Sequence, residues 1–549
     1  MSSDGQGVPW MDWSQYDTFP GSFEKCSLLT AALTHAGLYI LMFLGFVNQL
    51  FFKPKVATER NREGYAPLYN PFEQFYSRYV YRRVRHCFNR PISSAPGAEV
   101  TLKERHTDDY NWSFRFTGTE KRCINLGSYN YLGFAEATGP RADAAEAALR
   151  TYGVALCSSR AELGSTELHR ELERTTADFL GVEAAMVVGM GFATNSLGLP
   201  GLLGEGALVL SDENNHASLI LGLRLARVPV RVFKHNDVRH LERLAREAIA
   251  EGKWKKIVIV VEGVYSMEGS IVPLAALVAL KRRLGLQLYL DEAHSVGALG
   301  ARGRGVADHA RVRPADVDVL MGTFTKSFGA AGGYIAGECA GGAGRRLGVQ
   351  LYLDEAHSVG ALGARGRGVA DHARVRPADV DVLMGTFTKS FGAAGGYIAG
   401  SAKLVNWVRA HGHAHTYAHS MAPCVAAQVL AAMRAIASPA GQLRVRTLRD
   451  NTHYFRLKLR EMGVVTFGHA DSPVVPMLVY TFSKMAATVE RLTARGIATV
   501  GVGFPATPLN KARIRFCLSA AHSREQLDAC LRAVRAVADE LGLRYSRAA

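Results

Sequence analysis

The chain has 549 residues, of which 48% are hydrophobic and 21% charged, with a formal net charge of +16, a composition typical of a globular protein with a large core. The positive charge suits an anionic membrane, a phosphate-rich substrate or a solvated basic surface, whereas nucleic acid is not expected because the arginines are scattered and no zinc-finger spacing, RNP motif or basic zipper occurs. The eight cysteines form no C-x-x-C pair, which argues against a zinc site or a disulfide framework and indicates a cytosolic redox environment.

An uncharged segment near the start predicts a membrane helix. Residues 28–52 contain no Asp, Glu, Lys or Arg, and a helix of that length spans roughly 37 Å, enough to cross a bilayer. Basic residues follow the segment, so the positive-inside rule places the rest of the chain in the cytosol. A cleaved signal peptide fits poorly, because the segment is long and lacks a basic lead. A helix lying in the membrane interface is the alternative, since several polar residues interrupt the apolar run.

The following stretch predicts a second membrane-proximal helix. Residues 71–88 place aromatic side chains at helical spacing and contain four arginines. Such a basic amphipathic helix lies on lipid or against a partner. We therefore divide the first part of the chain into an N-terminal segment, residues 1–60, and a lead-in, residues 61–124.

From about residue 125 onward, short apolar runs alternate with helical patterns. Helices are expected at 141–152 and 216–227, and buried strands at 185–188, 207–210, 256–261, 288–290 and 317–321. This alternation predicts an α/β fold with a mostly parallel sheet flanked by helices. We assign residues 125–400 to this large domain and residues 401–549 to a smaller C-terminal α+β lobe.

The middle of the chain contains a tandem duplication. Arg282 to Gly337 recurs as Arg345 to Gly400, and we find one difference, Leu286 against Val349. Two near-identical copies indicate a recent duplication or an error in the gene model rather than a solenoid. Because we expect the sheet to have one position for each strand, one unit should lie outside it, either residues 338–400, residues 283–345, or a mixture of parts of both copies.

Two motifs, each present in both copies, follow predicted strands and suggest cofactor chemistry. Asp291 and its counterpart Asp354 end a strand, where a carboxylate can pair with a pyridinium nitrogen and keep it protonated. Lys326 and Lys389 lie in Gly- and Thr-rich turns, where a lysine can form a Schiff base with an aldehyde. Taken alone, an aspartate at a strand end more commonly binds a metal or caps a helix.

Two further motifs should meet the first two at the same sheet edge. Residues 189–195 lead from a strand into a helix, whose first backbone amides, including those of Phe192 and Ala193, suit a phosphate. His216 follows another strand, and its imidazole could stack on an aromatic ring. Each motif alone is typical of a turn with a helix cap, but together the four predict a cofactor site.

The order of these motifs resembles that of the α-oxoamine synthases. The resemblance rests on Gly-Met-Gly-Phe-Ala-Thr-Asn, Asn-His-Ala-Ser, Glu-Gly-Val-Tyr-Ser-Met-Glu-Gly, Asp-Glu-Ala-His-Ser and Gly-Thr-Phe-Thr-Lys-Ser, and extends from about residue 60 to Arg547. Within that family the chain is similar to the catalytic long-chain-base subunits of types 2 and 3. The resemblance implies the fold of the fold-type I transferases that depend on pyridoxal 5'-phosphate.

The resemblance also implies a role for each motif residue. The cofactor would be held by Lys326 or Lys389 as a Schiff base, by Asp291 or Asp354 at the ring nitrogen, by His294 or His357 at the ring hydroxyl, by His216 on the ring face, and by Thr323 or Thr386 with the amides of Phe192 and Ala193 at the phosphate. Arg515 would bind the substrate carboxylate, with Arg513 as the alternative. No metal is expected, although four histidines cluster in the sequence at positions 411, 413, 415 and 419.

The activity implied by the resemblance is the decarboxylative condensation of L-serine with palmitoyl-CoA to 3-oxosphinganine, the first step of sphingolipid biosynthesis. The implied setting is the endoplasmic reticulum membrane, with the catalytic body facing the cytosol, and the implied partner is the long-chain-base subunit 1, which lacks the Schiff-base lysine. Two alternatives remain open: another α-oxoamine synthase, although those enzymes are soluble, or a non-catalytic subunit.

Overall fold

The structure of the chain is a computed structural model. It describes residues 28–52, 71–180, 183–284, 286–295, 299, 301–304, 306–312, 317, 319–323, 333–337, 352–354, 363–368, 381–386, 391, 396–400, 402–504 and 506–546. The helices are α1 (Leu28–Phe51), α2 (Pro71–Tyr79), α3 (Pro140–Tyr152), α4 (Glu167–Leu180), α5 (Gly191–Leu202), α6 (Ala217–Ala226), α7 (Val238–Ala250), α8 (Leu274–Leu284), α9 (Val306–His309), α10 (Ala402–His411), α11 (His413–Thr416), α12 (Pro423–Ala437), α13 (Pro439–Glu461), α14 (Phe482–Ala494) and α15 (Arg524–Leu541).

The strands form one large sheet and several small ones. They are β1 (Glu99–His106), β2 (Arg115–Asn125), β3 (Ala184–Val188), β4 (Ala207–Asp212), β5 (Val230–Phe233), β6 (Lys256–Glu262), β7 (Gln287–Asp291), β8 (Ala301–Arg304), β9 (Val319–Thr323), β10 (Gly333–Gly337), β11 (Tyr352–Asp354), β12 (Gly363–Gly368), β13 (Asp381–Thr386), β14 (Gly396–Gly400), β15 (Val474–Tyr480), β16 (Ile497–Ala498), β17 (Val500–Val502) and β18 (Ala512–Cys517).

The N-terminal helix α1 is apolar and projects its side chains outward. Its stretch Ala31–Phe51 is long and apolar enough to cross a membrane, and only 6% of its most apolar window is buried inside the structure. The predicted helix at 71–88 is instead split into α2 and a 3₁₀ helix, Tyr81–Cys87. The carbonyl oxygens of Arg82 and Arg83, in the 3₁₀ helix, accept hydrogen bonds from the Asn111 side chain.

The large sheet is mostly parallel, as predicted. Its order is β10-β3-β14-β13-β9-β7-β11-β6-β4-β5, and β14 runs antiparallel to both β3 and β13. The central strands β4 and β6 are buried runs of apolar residues, as strands covered on both faces require. Helices α5 and α6 pack against each other and join the same core.

Both copies of the duplicated segment contribute strands to this sheet, so the expectation that one unit would lie outside it is wrong for the described strands. β7, β9 and β10 come from the first copy, and β11, β13 and β14 from the second. Like residues pair in register: Leu290 with Leu353, Gly322 with Gly385. Identical strands present identical side chains and hydrogen-bonding edges, so they can add beside each other in register, as identical segments do in stacked sheets.

The C-terminal region forms antiparallel strands packed on long helices. β15, β18 and β17 make one three-stranded sheet, and β16 joins the hairpin of β1 and β2 in another. Helix α14 packs against these strands, and α15 packs on both α13 and α14. This arrangement places β18, with its two arginines, alongside the turn at residues 267–268, because Arg513 Nη1 donates to the Met267 carbonyl oxygen at 2.8 Å.

Candidate active site

Three strands of the large sheet end in acidic residues at one edge, and the middle one, β6, pairs directly with both β4 and β7. β4 ends at Asp212, β6 at Glu262 and β7 at Asp291, and parallel pairing places Glu262 directly beside Asp291. The carboxyl ends of parallel strands are where open α/β sheets bind ligands. The structure therefore brings the strand-end motifs together at the edge where the sequence predicts them.

The carboxylate of Asp291 is buried and held by two donors. Its Oδ1 atom accepts from the backbone N–H of Ala293 at 2.8 Å, and Oδ2 accepts from Nδ2 of Asn195 at 3.0 Å. Asn195, on the second turn of α5, also donates to Ser218 Oγ at 3.0 Å and accepts from the Tyr289 hydroxyl. The Asn195 amide cannot turn over without losing buried hydrogen bonds, so it fixes the orientation of Asp291.

The imidazole of His216 is fixed at the start of α6. Its Nδ1 atom accepts from the backbone N–H of Ser218 at 3.2 Å and lies 2.8 Å from Ser218 Oγ, while the backbone N–H of His216 donates to the Glu262 carboxylate. Because Nδ1 is an acceptor, the neutral ring carries its proton on Nε2. Ser218 also accepts from Asn195, so one hydrogen-bond chain links His216 to Asp291.

The first turn of α5 is open toward the same edge. The helix begins at Gly191 after the extended residue Met190, and among the described residues no side chain caps its N-terminus. Phe192 is 41% exposed, and its ring is edge-on to that of His216, with the ring centroids 6.1 Å apart. A helix N-terminus with open backbone amides attracts a phosphate, which agrees with the predicted part of Phe192 and Ala193.

Behind the edge, a buried network supports the end of β4. Nδ1 of His235 lies 2.9 Å from Asp212 Oδ1, and its Nε2 lies 2.8 Å from Ser270 Oγ. The Tyr265 ring packs edge-on against the imidazole at 4.4 Å. Burial alone would lower the pKa of His235, but the Asp212 carboxylate outweighs it and holds the pKa above its usual value. The Asp212 carboxylate therefore favours the protonated form of His235, which would neutralise it inside the fold.

A second group joins two side chains of the large domain to an arginine of the C-terminal lobe. The ring centroids of His294 and Tyr129 lie 5.3 Å apart in an edge-on arrangement. The Arg515 guanidinium carbon lies over the Tyr129 ring, 4.4 Å from its centroid. Arg515 Nη1 donates to the Tyr129 hydroxyl. Burial raises the pKa of Tyr129, so the phenol stays neutral and its oxygen accepts. Arg515 Nε is buried and has no hydrogen-bond partner among the described residues, so this guanidinium retains a donor for an anion.

Arg513, the alternative anion ligand, is committed elsewhere. Besides Met267, it contacts Glu268, whose Oε1 lies 3.4 Å from its Nη1, and its Nε donates to the Lys511 carbonyl oxygen at 3.1 Å. Its side chain is only 1% exposed. Burial lowers the pKa of Arg513, with Glu268 acting in the opposite direction. Its contacts tie β18 to the turn after β6, which leaves Arg515 as the better placed of the two.

Several predicted residues are described only in part or lie outside the described residues. Thr323 and Thr386 end β9 and β13, and β9 pairs with β7 so that Met321 lies beside Asp291. Asp354 ends β11, with its Cα paired to Glu262. For these three the backbone alone is described, and Lys326, Lys389 and His357 lie outside the described residues.

A separate histidine cluster ties the first copy to the C-terminal lobe. Nδ1 of His469 accepts from the backbone N–H of Asp471 at 3.2 Å, so Nε2–H donates to Nε2 of His309 at 3.0 Å. Nδ1 of His309 then faces Asp471 Oδ2 at 3.4 Å. These three residues could also hold a metal ion, but three of the four ring nitrogens are already in hydrogen bonds and the fourth faces the Asp471 carboxylate. The cluster therefore works as a contact between α9 and the lobe.

Sequence reasoning assigned no role to Asn195, Ser218, Tyr129 or Tyr289. Asn195 and Ser218 lie inside motifs that carry the resemblance, so the sequence already drew attention to them. Their contacts were not visible there, since Asn195 and Asp291 are 96 positions apart. A polar residue on the apolar helix α5 was the available signal, because a buried amide requires partners.

Comparison with known proteins gives consistent matches. A family model described as aminotransferase class I and II matches residues 121–341 and 343–534, and the break between the two ranges falls between the two copies. The chain is 44% identical over 543 residues to serine palmitoyltransferase 3 of Homo sapiens, covering 96% of this chain and 87% of that protein. It is 38% identical over 529 residues to long chain base biosynthesis protein 2a of Arabidopsis thaliana, covering 94% and 95%.

Solved structures share the fold. A structure titled as high-resolution SPT with a PLP internal aldimine superposes with a TM-score of 0.65 at 23% identity, covering 86% of this chain and all of the other. An 8-amino-7-oxononanoate synthase from Francisella tularensis superposes with a TM-score of 0.54 at 18% identity, covering 76% of this chain and 98% of the other.

Proposed function

The chain belongs to the aminotransferase class I and II family, in its serine palmitoyltransferase branch, and from this we propose that it condenses L-serine with palmitoyl-CoA to give 3-oxosphinganine, coenzyme A and carbon dioxide. Relatives 38–44% identical over nearly the whole chain support this activity. One observation about the chain itself carries the proposal: the buried carboxylate of Asp291, oriented by Asn195 at a strand end, on the same hydrogen-bond chain as His216.

The described residues fit pyridoxal phosphate. Asp291 would pair with the ring nitrogen, because a carboxylate at the end of a parallel strand suits a pyridinium. His216 would lie on the ring face, and the amides of Phe192 and Ala193 would hold the phosphate at the open start of α5. His294 would reach the ring hydroxyl. Bound in this way, the cofactor withdraws electrons from the substrate α-carbon and so makes its proton acidic.

The remaining steps need residues that bind serine and move a proton. Arg515 would bind the serine carboxylate, since its buried Nε still offers a donor and its position is set by Tyr129. The site lysine, Lys326 or Lys389, would hold the cofactor and then accept the α-proton. Thr323 or Thr386, at the ends of β9 and β13, would add a contact to the phosphate.

A matched pair of variants tests the site. Asp291→Asn should remove the visible absorbance band of the bound cofactor and the formation of 3-oxosphinganine, because an amide cannot stabilise a pyridinium. Asp354→Asn, the same change in the second copy, should leave both in place. The reverse result would show that Asp354, in the second copy, pairs with the cofactor ring. A band of full intensity in both variants would refute a role for either aspartate.

The proposal places the protein on the endoplasmic reticulum membrane, attached through α1, with its catalytic body in the cytosol. The support is the exposed apolar stretch Ala31–Phe51 and the basic residues that follow it. A fatty-acyl substrate and a long-chain product both partition into lipid, which suits such an attachment. Deleting residues 1–52 should release the protein from membranes in high salt, whereas retention would show that α1 is not the necessary anchor.

We further propose a heterodimer with a long-chain-base subunit 1 that lacks the site lysine. The proposal rests on the resemblance. Co-expression with such a subunit should be needed for full activity, and full activity of this chain expressed alone would refute it. The non-catalytic alternative is disfavoured by the arrangement around Asp291, and a soluble α-oxoamine synthase by α1.

A further inference from the structure

A turn near the membrane helix exposes large aromatic side chains. We define the aromatic turn as residues 107–116, which comprise the connection between β1 and β2 and the first two residues of β2. Tyr110 is 65% exposed, Trp112 52% and Phe116 63%. Single exposed apolar residues are ordinary, but three aromatic rings within seven positions form a patch of the kind that marks an interaction site.

The aromatic turn is held in one conformation by hydrogen bonds to Asp109. Asp109 Oδ1 accepts from the backbone N–H groups of Trp112 and Ser113, both at 2.9 Å, and its Oδ2 accepts from Ser113 Oγ at 2.6 Å. Hydrogen bonds from the Ser113 side chain and backbone lower the pKa of Asp109 to about 2. Tyr110 and Asn111 have φ of 61° and 69°, in the left-handed region that non-glycine residues rarely adopt. Such strain persists where the surrounding contacts over-determine it.

Arginines of the 3₁₀ helix lie among these rings. The Arg82 guanidinium is 4.6 Å from the centroid of the Trp112 ring and 5.8 Å from that of Tyr110. Arg85 Nη1 donates to the Trp112 carbonyl oxygen at 2.6 Å. Arg83 is exposed and so is Arg115, on the turn itself. Four arginines against two aspartates make the patch basic as well as aromatic.

The patch lies close to the end of α1. Gly45 of α1 sits against α2 so tightly that a Cβ there would come within 2.9 Å of Tyr79 Cγ, and the Tyr79 hydroxyl donates to Asn48 Oδ1 at 3.5 Å. The 3₁₀ helix begins two residues later and is held to the turn by Asn111. The aromatic turn is therefore fixed within a few residues of the point where α1 packs on α2.

We propose that the aromatic turn is a second membrane contact of this protein, which inserts Trp112 and Tyr110 at the level of the phospholipid headgroups while the adjacent arginines pair with anionic lipid. Rings with one polar end favour the membrane–water interface, and arginine adds attraction to anionic headgroups. The inference rests on the proposed attachment through α1. The patch would fix how the catalytic body is oriented on the membrane, because a single helix leaves rotation about its axis free.

Lipid fits the patch better than a protein partner for two reasons. The patch lies close to the end of the candidate membrane helix α1, so insertion of α1 into a bilayer would bring the patch to the bilayer surface. Its charge is complementary to anionic headgroups and is carried by exposed side chains, whereas the core of a protein interface is depleted of charge. A protein interface stays an outcome of the test.

The test places full-length protein in vesicles of phosphatidylcholine and phosphatidylserine, with part of the phosphatidylcholine brominated near the headgroup end of its chains. Tryptophan emission is then measured for the parent chain, for Trp112→Phe and for Trp407→Phe. Trp407 is a matched control because it is about as exposed as Trp112, at 53%, but lies on α10, outside the aromatic turn. Its ring stacks on that of His411, with the ring centroids 3.8 Å apart. We expect Trp112→Phe to lose a large part of the bromine-quenched emission and Trp407→Phe to lose none of it.

Two further measurements decide between outcomes. Reversing the charge at Arg83 and Arg115 should reduce quenching of Trp112 at least about twofold, since each arginine near an anionic surface contributes about fivefold in binding. Equal quenching in Trp112→Phe and the parent chain would overturn the proposal. So would an unquenched Trp112 whose emission shifts only when the partner subunit is added, which would mark a protein interface. The cofactor band, recorded on the same samples, tests the proposed activity separately.

Discussion

The link between Asn195 and Asp291 makes a strong prediction about cofactor binding. Asn195→Ala removes a buried donor to a carboxylate at 3.0 Å and the amide oxygen that accepts from the Tyr289 hydroxyl. A hydrogen bond to a charged group contributes about 1.5 to 3 kcal/mol. If that bond orients Asp291 toward the pyridine nitrogen, the dissociation constant for pyridoxal phosphate should rise about 10- to 100-fold. The free energy of unfolding should also fall, by about 2 kcal/mol, because buried groups lose their partners.

Ser196→Ala is the matched control for this change. Ser196 is the next residue of α5 and is also buried, but its Oγ donates within the helix, to the Phe192 carbonyl oxygen at 3.1 Å. Losing that neutral bond should cost about 1 kcal/mol of stability and leave cofactor affinity nearly unchanged. Titration of the visible band gives the dissociation constant, and thermal melting of the cofactor-free chain gives stability. Equal cofactor affinity in the two variants would refute the positioning role of Asn195.

Three further predictions concern the arginines, a buried histidine and the duplication. Arg515→Lys should raise the KM for serine about 10- to 100-fold through loss of a charge-assisted bond, whereas Arg513→Lys should mainly lower the melting temperature. Steady-state kinetics and thermal melting that show the two effects exchanged would contradict the assignment. Because the pKa of His235 is raised in the folded state, its contribution to stability is full below about pH 6.5 and is lost as the pH rises through the folded-state pKa. His235→Gln should therefore lower the melting temperature more at pH 6 than at pH 9, and an equal decrease at both pH values would argue against protonation of His235. In the full chain Lys389→Ala should remove the cofactor band while the same change at Lys326 should not. The opposite pattern would place the lysine in the first copy.

Much of the fold and the site followed from local patterns. The apolar runs that became β4 and β6 are short, continuous and rich in Ile and Val, which is how strands buried on both faces read. Because parallel strands end at one edge, the motifs at Asp291 and His216 could be placed together without knowing the strand order. The uncharged run that became α1 was equally local.

What the sequence could not show depends on contacts between distant segments. The partners of Asn195 come from β7 and α6, and only the packing of α5 on α6 brings them within hydrogen-bond distance. The behaviour of the two copies was also mispredicted. We assumed one sheet position for each strand, whereas identical strands such as β9 and β13 pair with each other in register. Pairing of like with like follows from identity of sequence, and it adds strands instead of displacing them.

The measurement that tests the central claim most directly follows the atoms of serine. The full chain, co-expressed with its partner subunit, is incubated with pyridoxal phosphate, palmitoyl-CoA and L-serine labelled with ¹³C at all three carbons and with ¹⁵N, and the lipid product is analysed by mass spectrometry. We expect 3-oxosphinganine that retains two labelled carbons and the nitrogen, with the third carbon released as labelled carbon dioxide, and no product from Asp291→Asn. A preparation that shows the cofactor band but yields no such product, or an Asp291→Asn chain that yields it undiminished, would contradict the proposed reaction and the role of Asp291 in it.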